Sequence, residues 1–313
     1  MKKILITGGL GYVGTELAKF LASKNYRVKI IDIGYFGNSI KTKKNIIVSQ
    51  KNVGNISKKD AEGYDTVIHL AAISNDPSAL LNSKITWETN VLSTLHLLEI
   101  CKKVKIKKFI FASSGSVYGL SSKPKVDENT ELVPISDYNK TKMVGEKLVN
   151  NYSKYFKTII LRPGTICGFS DSLRLDLTVN AMMFTALKKK KIFVDGGSQI
   201  RPQVHIKDML NVYDFFIKKN FTGIYNVGFE NISIIEVARL IKKVVKNVEI
   251  NIKKKLDPRS YRLFAGKLLK TGFKNKYRVF DAIEELQKKF IERKLKYNEK
   301  SSRTLFLKKR LSK

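Results

Sequence analysis

Short apolar runs alternate with longer amphipathic runs through the first half of the chain. The apolar runs are rich in Val and Ile and predict β-strands buried on both faces, at 3–7, 27–32, 45–49, 66–70, 107–113 and 157–162. Between them, apolar residues spaced three and four apart predict helices at 11–24, 85–103 and 138–155. Strands that alternate with helices indicate βαβ units, so we expect an α/β fold with a doubly wound parallel sheet.

The regular alternation ends after residue 165. Apolar periodicity predicts further helices at 176–190, 233–247 and 279–297, and a basic tail runs from Ser301 to Lys313. No internal repeat or flexible linker separates the two halves. We therefore expect one domain at 1–165 and a smaller, interleaved region at 166–313, from which the segment near 205–230 returns to the large sheet.

The composition favours a folded, cytoplasmic protein. Hydrophobic residues make up 43% of the chain, enough for a sizeable core, which excludes disorder. Two cysteines, Cys101 and Cys167, do not provide a disulfide framework, and this favours a reducing compartment. The run Ile4–Ile6 is too short for a signal peptide, and no run approaches the about 20 apolar residues that span a bilayer.

The formal net charge of +33 raises the question of a nucleic-acid or anionic membrane partner. The lysines are spread over many segments, and a bias toward Lys, Ile and Asn accounts for much of the charge. No nucleic-acid motif and no basic strip interleaved with aromatic residues is present in the sequence. We expect a solvated basic surface without nucleic-acid or membrane partners, a surface that would still favour a polyanionic substrate.

A glycine-rich loop joins the first predicted strand to the first predicted helix. Gly8, Gly11 and Gly14 suit a tight turn, close approach of the backbone to a pyrophosphate and close packing of helix on strand. Asp32 ends the second strand, where a carboxylate accepts hydrogen bonds from the adenosine ribose and repels a 2′-phosphate. The combination predicts a Rossmann-type domain that binds NAD rather than NADP.

Further residues are expected around this cofactor. The segment from His69 to Ala72 follows the fourth strand, where its small residues suit a chain that passes under the cofactor. Asn55 is placed to reach the adenine, and Asn90 is either a ligand or a support for its helix. The expected set is completed by Tyr12, Val13, Ile56, Leu70, Ala71, Ala72, Ser113 and Pro163. No metal site is expected.

Tyr138 and Lys142 are four residues apart, which places them on one face of a helix. A tyrosine is a poor base at neutral pH unless a nearby cation stabilises its phenolate. Lys142 is expected to lower the pKa of Tyr138 and to bind the nicotinamide ribose. A hydroxyl from the preceding strand end, offered by Ser113, Ser114 or Ser116, would complete the set.

The glycine loop, Asp32, the segment Ser113–Gly119 and the Tyr138/Lys142 pair together resemble the extended short-chain dehydrogenases, specifically the nucleotide-sugar epimerase/dehydratase family. The resemblance runs from residue 3 to about residue 275. It implies that Tyr138 takes the proton of a sugar hydroxyl, usually at C4, while Ser114 holds that oxygen and NAD accepts the hydride. The resemblance implies Thr-Asp-Glu in the 4,6-dehydratases of this family at the positions of Ser114, Gly115 and Ser116. Because the two acidic residues are missing here, dehydration is expected to be disfavoured.

The same resemblance implies a binding site for the substrate in the second half of the chain. Arginine suits a diphosphate because its planar fork matches phosphate oxygens. The residues implied to bind substrate are Ser74, Asn75, Ser114, Ser116, Thr165, Arg174, Asn180, Arg201 and Arg259, with Arg262 in reserve. His205 and Asp208 are expected to form hydrogen bonds within the fold instead.

The sequence thus predicts an NAD-dependent oxidoreductase acting at C4, or a neighbouring carbon, of a nucleoside-diphosphate hexose or heptose, as in surface-polysaccharide sugar synthesis. A 4-epimerase and a 4-keto-sugar reductase stay open as alternatives. A non-catalytic NAD-binding redox sensor is disfavoured, since it has no use for Tyr138. The resemblance also implies a homodimer in which helices 85–103 and 138–155 of two subunits pair.

Overall fold

A seven-stranded sheet forms the centre of the larger part of the protein. The structure, a computed structural model, describes residues 1–40, 44–120, 123, 125–253 and 260–311. The strands in chain order are β1 (Lys3–Thr7), β2 (Arg27–Asp32), β3 (Ile46–Gln50), β4 (Thr66–His69), β5 (Lys108–Ala112), β6 (Lys125–Val126), β7 (Lys157–Pro163), β8 (Thr165–Cys167), β9 (Lys191–Asp195), β10 (Ile200–His205), β11 (Gly223–Val227), β12 (Glu230–Ser233), β13 (Glu249–Lys253) and β14 (Arg262–Leu263).

The helices cover the faces of this sheet and build most of the smaller region. In chain order they are α1 (Tyr12–Ser23), α2 (Lys58–Ala61), α3 (Asp76–Ala79), α4 (Ser83–Trp87), α5 (Ser93–Lys103), α6 (Asp137–Asn151), α7 (Thr178–Lys189), α8 (Ile206–Lys218), α9 (Ile234–Val244), α10 (Gly266–Lys270), α11 (Val279–Ile291) and α12 (Arg303–Leu311). Among the described residues, no helix is long and apolar enough to cross a membrane.

The strand order in the large sheet is β11-β7-β5-β4-β1-β2-β3, and every neighbouring pair is parallel. The chain moves outward from β1 in one direction through β2 and β3, and then in the other direction from β4. Such a reversal opens a crevice at the carboxyl ends of the central strands, where ligands bind in open α/β sheets. The expected doubly wound α/β fold is confirmed.

Both faces of the sheet are buried, which explains the uninterrupted apolar runs. Successive side chains of a strand point to opposite faces. Ile4 and Ile6 of β1 join a core cluster with Leu17 of α1, whereas Leu5 joins a second cluster with Leu97 of α5. These five side chains are all fully buried.

The smaller region has its own core, formed by α7, α9 and α11 around residues such as Val179, Val237 and Ile283. Three small sheets accompany it, with the orders β12-β10-β8, β13-β9 and β14-β6. The chain returns to the large sheet through β11, which pairs with β7. The second half of the chain is therefore interleaved with the first.

The helix predicted at 85–103 is interrupted by a π-helical turn at Glu88–Leu92, between α4 and α5. The hydroxyl of Ser93 donates to the Thr89 carbonyl, and that of Thr94 donates to the Asn90 carbonyl. Side-chain bonds of this kind compete with the backbone ladder, which gives a physical reason for the local change of helix type.

Candidate active site

A cavity of about 810 Å³ opens at the carboxyl ends of β1, β2, β4, β5 and β7. Its size lies in the upper part of the range for ligand pockets. The lining includes the glycine loop and Asp32 as well as Arg174 and Arg201. The crevice expected from the strand order is therefore the place where the predicted cofactor and substrate residues meet.

The glycine loop fits a closely approaching pyrophosphate. Gly8 has a φ of +73°, and a Cβ added there would lie 2.5 Å from the Ala71 nitrogen. A Cβ at Gly14 would lie 2.4 Å from the Gly8 carbonyl oxygen, so this glycine allows α1 to pack against the loop. Gly11 precedes α1 and provides no side-chain cap, so the positive end of the helix faces the cavity.

Asp32 is held in place by two backbone N–H donors at the end of β2. Its carboxylate accepts hydrogen bonds from Leu10 N (2.9 Å) and Gly34 N (2.8 Å). Burial raises the pKa of Asp32, and these two hydrogen bonds oppose the rise. The carboxylate lines the cavity with lone pairs left for ribose hydroxyls.

Most residues expected at the cofactor line the cavity. These are Gly8, Gly11, Tyr12, Val13, Gly14, Asp32, Leu70, Ala71, Ala72, Ser113, Tyr138, Lys142 and Pro163. The sequence reasoning missed Tyr35 and Phe36, which line the cavity immediately beyond β2. The sequence feature that could have identified them is a pair of adjacent aromatic residues three and four positions after the expected ribose carboxylate, Asp32.

The expected contacts of Asn55 and Ile56 with the cofactor stay predictions, and neither residue is among those that line the cavity. Asn55 is exposed and Ile56 is buried in the core. A short 3₁₀ turn covers Val53–Asn55, and the Asn52 side chain accepts a hydrogen bond from Gly54 N. This turn directs Asn55 to solvent, so Asn52, Val53 and Gly54 line the cavity instead.

Asn90 forms hydrogen bonds within the fold and is not among the residues that line the cavity, which agrees with a support role, and its contact with the cofactor stays a prediction. Its side-chain amide accepts from Ile73 N (2.8 Å) and donates to Ile73 O (3.1 Å) and to Thr141 Oγ1 (3.0 Å). Both N–H donors of the side-chain amide are therefore engaged within the protein. These bonds fix the loop after β4 against α6, which carries Tyr138.

Ser114 and Tyr138 both line the cavity, and the Ser114 hydroxyl lies close enough to act against the rise in the Tyr138 pKa. Ser114 follows β5, whereas Tyr138 lies in the first turn of α6, whose N-terminus is capped by Ser136 Oγ. Close packing brings these two elements together, because a Cβ at Gly145 of α6 would lie 2.6 Å from the Phe111 ring of β5. Ser116 also lines the cavity, and its hydroxyl lies 2.7 Å from that of Ser114.

Lys142 lies one helical turn beyond Tyr138, and its ammonium donates to the Ala112 carbonyl (2.7 Å). Burial lowers the pKa of Lys142 to about 8, and the negative charge of Glu146 opposes this change. Burial also raises the pKa of Tyr138, against the effects of the Ser114 hydroxyl and the Arg174 charge. Lys142 is expected to lower the pKa of Tyr138, but burial has the larger effect and the pKa is raised.

A buried polar network supports the catalytic helix from below. Glu146 accepts two hydrogen bonds from Arg162, at 2.9 Å (Nε) and 2.6 Å (Nη2), and a third from the Ser113 hydroxyl. Arg162 also donates to the Tyr118 hydroxyl (2.9 Å), which donates to Asn226 Oδ1 (2.8 Å). The network ties α6 to β5, β7 and β11, and it was not predicted from the sequence.

Arg174 is held in place by hydrogen bonds to two neighbouring side chains. Its Nε and Nη2 donate to Asp176 at 2.9 and 3.1 Å, and its Nη1 donates to Ser74 Oγ (3.2 Å). Asn75, with a φ of +82°, donates from Nδ2 to Asp176 Oδ2 (3.0 Å). Ser74, Asn75, Thr165, Arg174 and Arg201 all line the cavity, as does Asp76, which accepts from Ser136 Oγ (2.5 Å).

Asn180 is not among the residues that line the cavity, and its expected role at a substrate diphosphate stays a prediction. Its side chain is fully buried and accepts from Gly168 N, while it donates to the Tyr12 hydroxyl and the Arg174 carbonyl. It supports the backbone of Arg174, and this is how it affects the site.

The remaining candidates of the substrate half fall in different places. Arg259 lies outside the described residues, whereas the reserve candidate Arg262 is exposed on β14. Tyr261, which the sequence reasoning passed over, lines the cavity. Asp208 accepts from the backbone nitrogens of Lys276 and Tyr277, and His205 stacks on the Tyr277 ring with centroids 4.9 Å apart.

Comparison with known proteins places these features in a family. The sequence pattern of the NAD dependent epimerase/dehydratase family matches residues 4–228. An uncharacterised UDP-glucose epimerase of Bacillus subtilis (strain 168) is 33% identical over 261 residues, which cover 77% of this chain and 82% of that protein. A dTDP-D-glucose 4,6-dehydratase of Dictyostelium discoideum is 32% identical over 271 residues, which cover 77% of this chain but only 62% of the relative.

Among solved structures, the UDP-glucuronic acid 4-epimerase of Bacillus cereus, in complex with UDP-glucuronic acid and NAD, superimposes with a TM-score of 0.80. It is 27% identical, and the match covers 90% of this chain and 97% of that one. Because a 4,6-dehydratase is among the relatives, the expectation that dehydration is disfavoured finds no support in these comparisons. The chain belongs to the NAD-dependent epimerase/dehydratase family of nucleotide-sugar enzymes, within the extended short-chain dehydrogenases.

Proposed function

We propose that this protein binds NAD and oxidises a nucleoside-diphosphate sugar at C4 or a neighbouring carbon, then returns the hydride to give the epimer. The observation that carries the proposal is that Ser114, Tyr138 and Lys142 line one cavity together with the glycine loop and Arg174. A sugar carbon placed beside this pair would have a proton acceptor on its hydroxyl and a hydride acceptor within the same cavity.

The glycine loop and Asp32 fit NAD, since both line the cavity and the loop is packed so closely that a Cβ at Gly8 or Gly14 would collide with the neighbouring backbone. Bound NAD⁺ would supply the hydride acceptor and a positively charged nicotinamide. Burial raises the pKa of Tyr138, so extra positive charge is needed to favour its phenolate. Lys142, one turn away on the same helix, would add to that charge while it holds the nicotinamide ribose.

The proton transfer uses only residues of this chain. Tyr138 accepts the proton of the sugar hydroxyl, and Ser114 holds the oxygen from which it leaves. Ser116 keeps the Ser114 hydroxyl in place, since its backbone N–H donates to Ser114 Oγ (3.1 Å). When the ketone is reduced again, Tyr138 returns the proton to the same oxygen.

Arg174 and Arg201 would bind the diphosphate of the substrate. Both line the same cavity as the glycine loop. Asp176 fixes the orientation of the Arg174 guanidinium through two hydrogen bonds, which leaves the planar group ordered before a ligand arrives. An ordered guanidinium loses little conformational entropy when it binds phosphate oxygens.

Re-reduction within the site, rather than loss of water, is supported by the residues beside Ser114. A Cβ at Gly115 would lie 3.1 Å from the Pro163 carbonyl and 3.4 Å from the Tyr261 hydroxyl, which leaves little space for an acidic side chain. Ser116 provides a hydroxyl where elimination would call for a carboxylic acid. The B. subtilis and B. cereus comparison proteins are named as epimerases, and this agrees with the proposal.

We also propose that the protein forms a homodimer through α4, α5 and α6. Leu92 and Leu95 are exposed at the start of α5, with 60% and 38% of their surface accessible. Large apolar side chains next to each other on a helix surface favour association.

The proposed reaction can be tested with a panel of GDP-, UDP-, dTDP- and CDP-linked sugars and NAD. We expect at least one substrate to yield its C4 epimer without net formation of NADH. Stoichiometric NADH would instead indicate a dehydrogenase, and a 4-keto-6-deoxy product would indicate a dehydratase. No conversion of any sugar, with NAD bound, would contradict the proposal.

A further inference from the structure

The basic C-terminal tail forms a helix, α12, that lies against the rim of the cavity. Two of its residues, Arg303 and Leu307, line the cavity and are themselves 4% and 5% exposed. The tail therefore contributes to the site, although it follows the last residues matched by the family pattern by more than seventy positions. Its contacts show which part of the site it covers.

On one side, α12 packs on the loop that follows Asp32. The Arg303 guanidinium lies 4.0 Å above the Phe36 ring, and the Phe306 ring lies 5.6 Å from the same ring. One turn further along, the Arg310 guanidinium lies 4.2 Å from the Tyr35 ring. Because Tyr35 and Phe36 line the cavity beside Asp32, α12 covers the end of the cavity where the adenosine ribose is expected.

On the other side, α12 is tied to the segment that leads into the substrate region. Arg303 Nη2 donates to the carbonyl oxygen (2.9 Å) and the hydroxyl (2.8 Å) of Ser172. Just before the helix, the Ser301 carbonyl accepts from Leu175 N (2.8 Å), and Thr304 Oγ1 lies 2.9 Å from Ser78 Oγ. The helix thus joins three loops that surround the cavity.

The Arg303 side chain has donors left for a ligand. Its recorded hydrogen bonds, including one from Nη1 to the Lys300 carbonyl (2.6 Å), engage three of the five N–H donors of a guanidinium. Burial lowers the pKa of Arg303 to about 10, and the Arg174 charge adds to this effect, against the negative charges of Asp176 and Asp32. The protein thus compensates the buried cation only in part, and a further oxygen ligand would stabilise it.

We propose that Arg303 is a cofactor-binding residue whose guanidinium donates to an oxygen of the adenosine diphosphate half of NAD, with α12 as the wall of that half of the site. The proposal rests on the proposed binding of NAD. The position beside Asp32 and Phe36 assigns Arg303 to the cofactor, whereas Arg174 and Arg201 are assigned to the substrate diphosphate.

Calorimetric titration of the full chain with ADP, NAD and UDP separates these roles. For Arg303→Ala we expect the dissociation constants for ADP and NAD to rise by about tenfold or more, which is the loss typical of a hydrogen bond from a charged group. Binding of UDP should change by less than about twofold. Lys309→Ala is the matched control, because it removes one positive charge from the same helix at an exposed ion pair with Glu299, outside the cavity.

Equal ADP affinity in Arg303→Ala and wild type would overturn the proposal, and so would a loss confined to UDP. Wild-type protein that binds neither ADP nor NAD would overturn the proposed function instead. A measurement on the wild type avoids any folding defect of the variant. Amide hydrogen exchange in 303–311 should slow on addition of ADP but not of UDP, and no change with ADP would count against α12 as a wall of the cofactor site.

Discussion

Glu146 and Arg162 form a bidentate ion pair that is almost completely buried beneath the helix that carries Tyr138. The side chains are 5% and 3% exposed, so each depends on the other for compensation of its charge. The pair joins α6 to β7, and Ser113 and Tyr118 complete its hydrogen bonds. The catalytic helix is thereby fixed on the sheet.

Removal of one member of this pair should destabilise the protein strongly. Arg162→Leu leaves the Glu146 carboxylate buried without its partner, and we expect the free energy of unfolding to fall by about 3–5 kcal/mol. Urea denaturation followed by circular dichroism measures this change. Lys107→Ala breaks an exposed ion pair with Asp65 and should have little effect. Similar losses in both variants would argue against the structural role of the buried pair.

The pH dependence of activity should report the ionisation of Lys142. The pKa of Lys142 is lowered by burial to about 8, so its positive charge is present below this pH and lost as the pH rises through it. We therefore expect kcat/KM to fall above pH about 8. In Glu146→Gln the opposing negative charge is gone, so the fall should move to lower pH. Lys142→Arg keeps its charge, and an unchanged alkaline fall in that variant would exclude Lys142 as its origin.

Tyr138→Phe should remove turnover and leave NAD binding intact. The ring stays in place, and only the proton acceptor beside Ser114 is lost, so we expect kcat to fall by about 10²–10⁴-fold. Product formation and calorimetric NAD binding test the two parts separately. Tyr155→Phe, at a half-exposed position outside the cavity, is the matched control. Full activity of Tyr138→Phe would remove the residue from the mechanism.

Gly8→Ala should abolish NAD binding. The new Cβ would lie 2.5 Å from the Ala71 nitrogen at a φ of +73°, so the loop must move away from the position that a pyrophosphate requires. Gly272→Ala has a comparable φ of +88° but meets no atom within 4 Å, so it controls for backbone strain alone. Both variants should lose about 1 kcal/mol of stability from strain, and only Gly8→Ala should lose NAD affinity. Equal NAD affinity in the two variants would contradict the assigned role of the loop.

Local patterns identified the elements that lie close together in sequence. The glycine loop, Asp32 and the Tyr138/Lys142 spacing follow from a strand, a turn and a helix read in order, and all of them line the cavity. The strands of the large sheet were found because burial on both faces makes them continuously apolar. The short strands β6, β8 and β14, with two or three residues each, carry no comparable pattern.

Single side chains were harder to assign where two possible roles need the same residue type. The positions of Asn90 and Asn180 in the sequence suggested that their side-chain amides lie near the site. Both amides instead form hydrogen bonds with the protein backbone and with neighbouring hydroxyls. A 3₁₀ turn of three residues was enough to replace Asn55 by Asn52 at the cavity. The direction in which a side chain of such a short turn points is decided by packing, and the pattern of apolar residues does not predict it.

The sequence by itself determined the α/β class, the cofactor loop and the catalytic pair, because each of these depends on residues within one turn or one βα unit. Only the tertiary structure decided the environment of those residues. Burial sets the direction of the Tyr138 and Lys142 pKa values, the Glu146–Arg162 pair fixes their helix, and α12 brings Arg303 back to the cavity from the far end of the chain. Desolvation and long-range packing depend on which elements meet in space, and local sequence spacing does not contain that information.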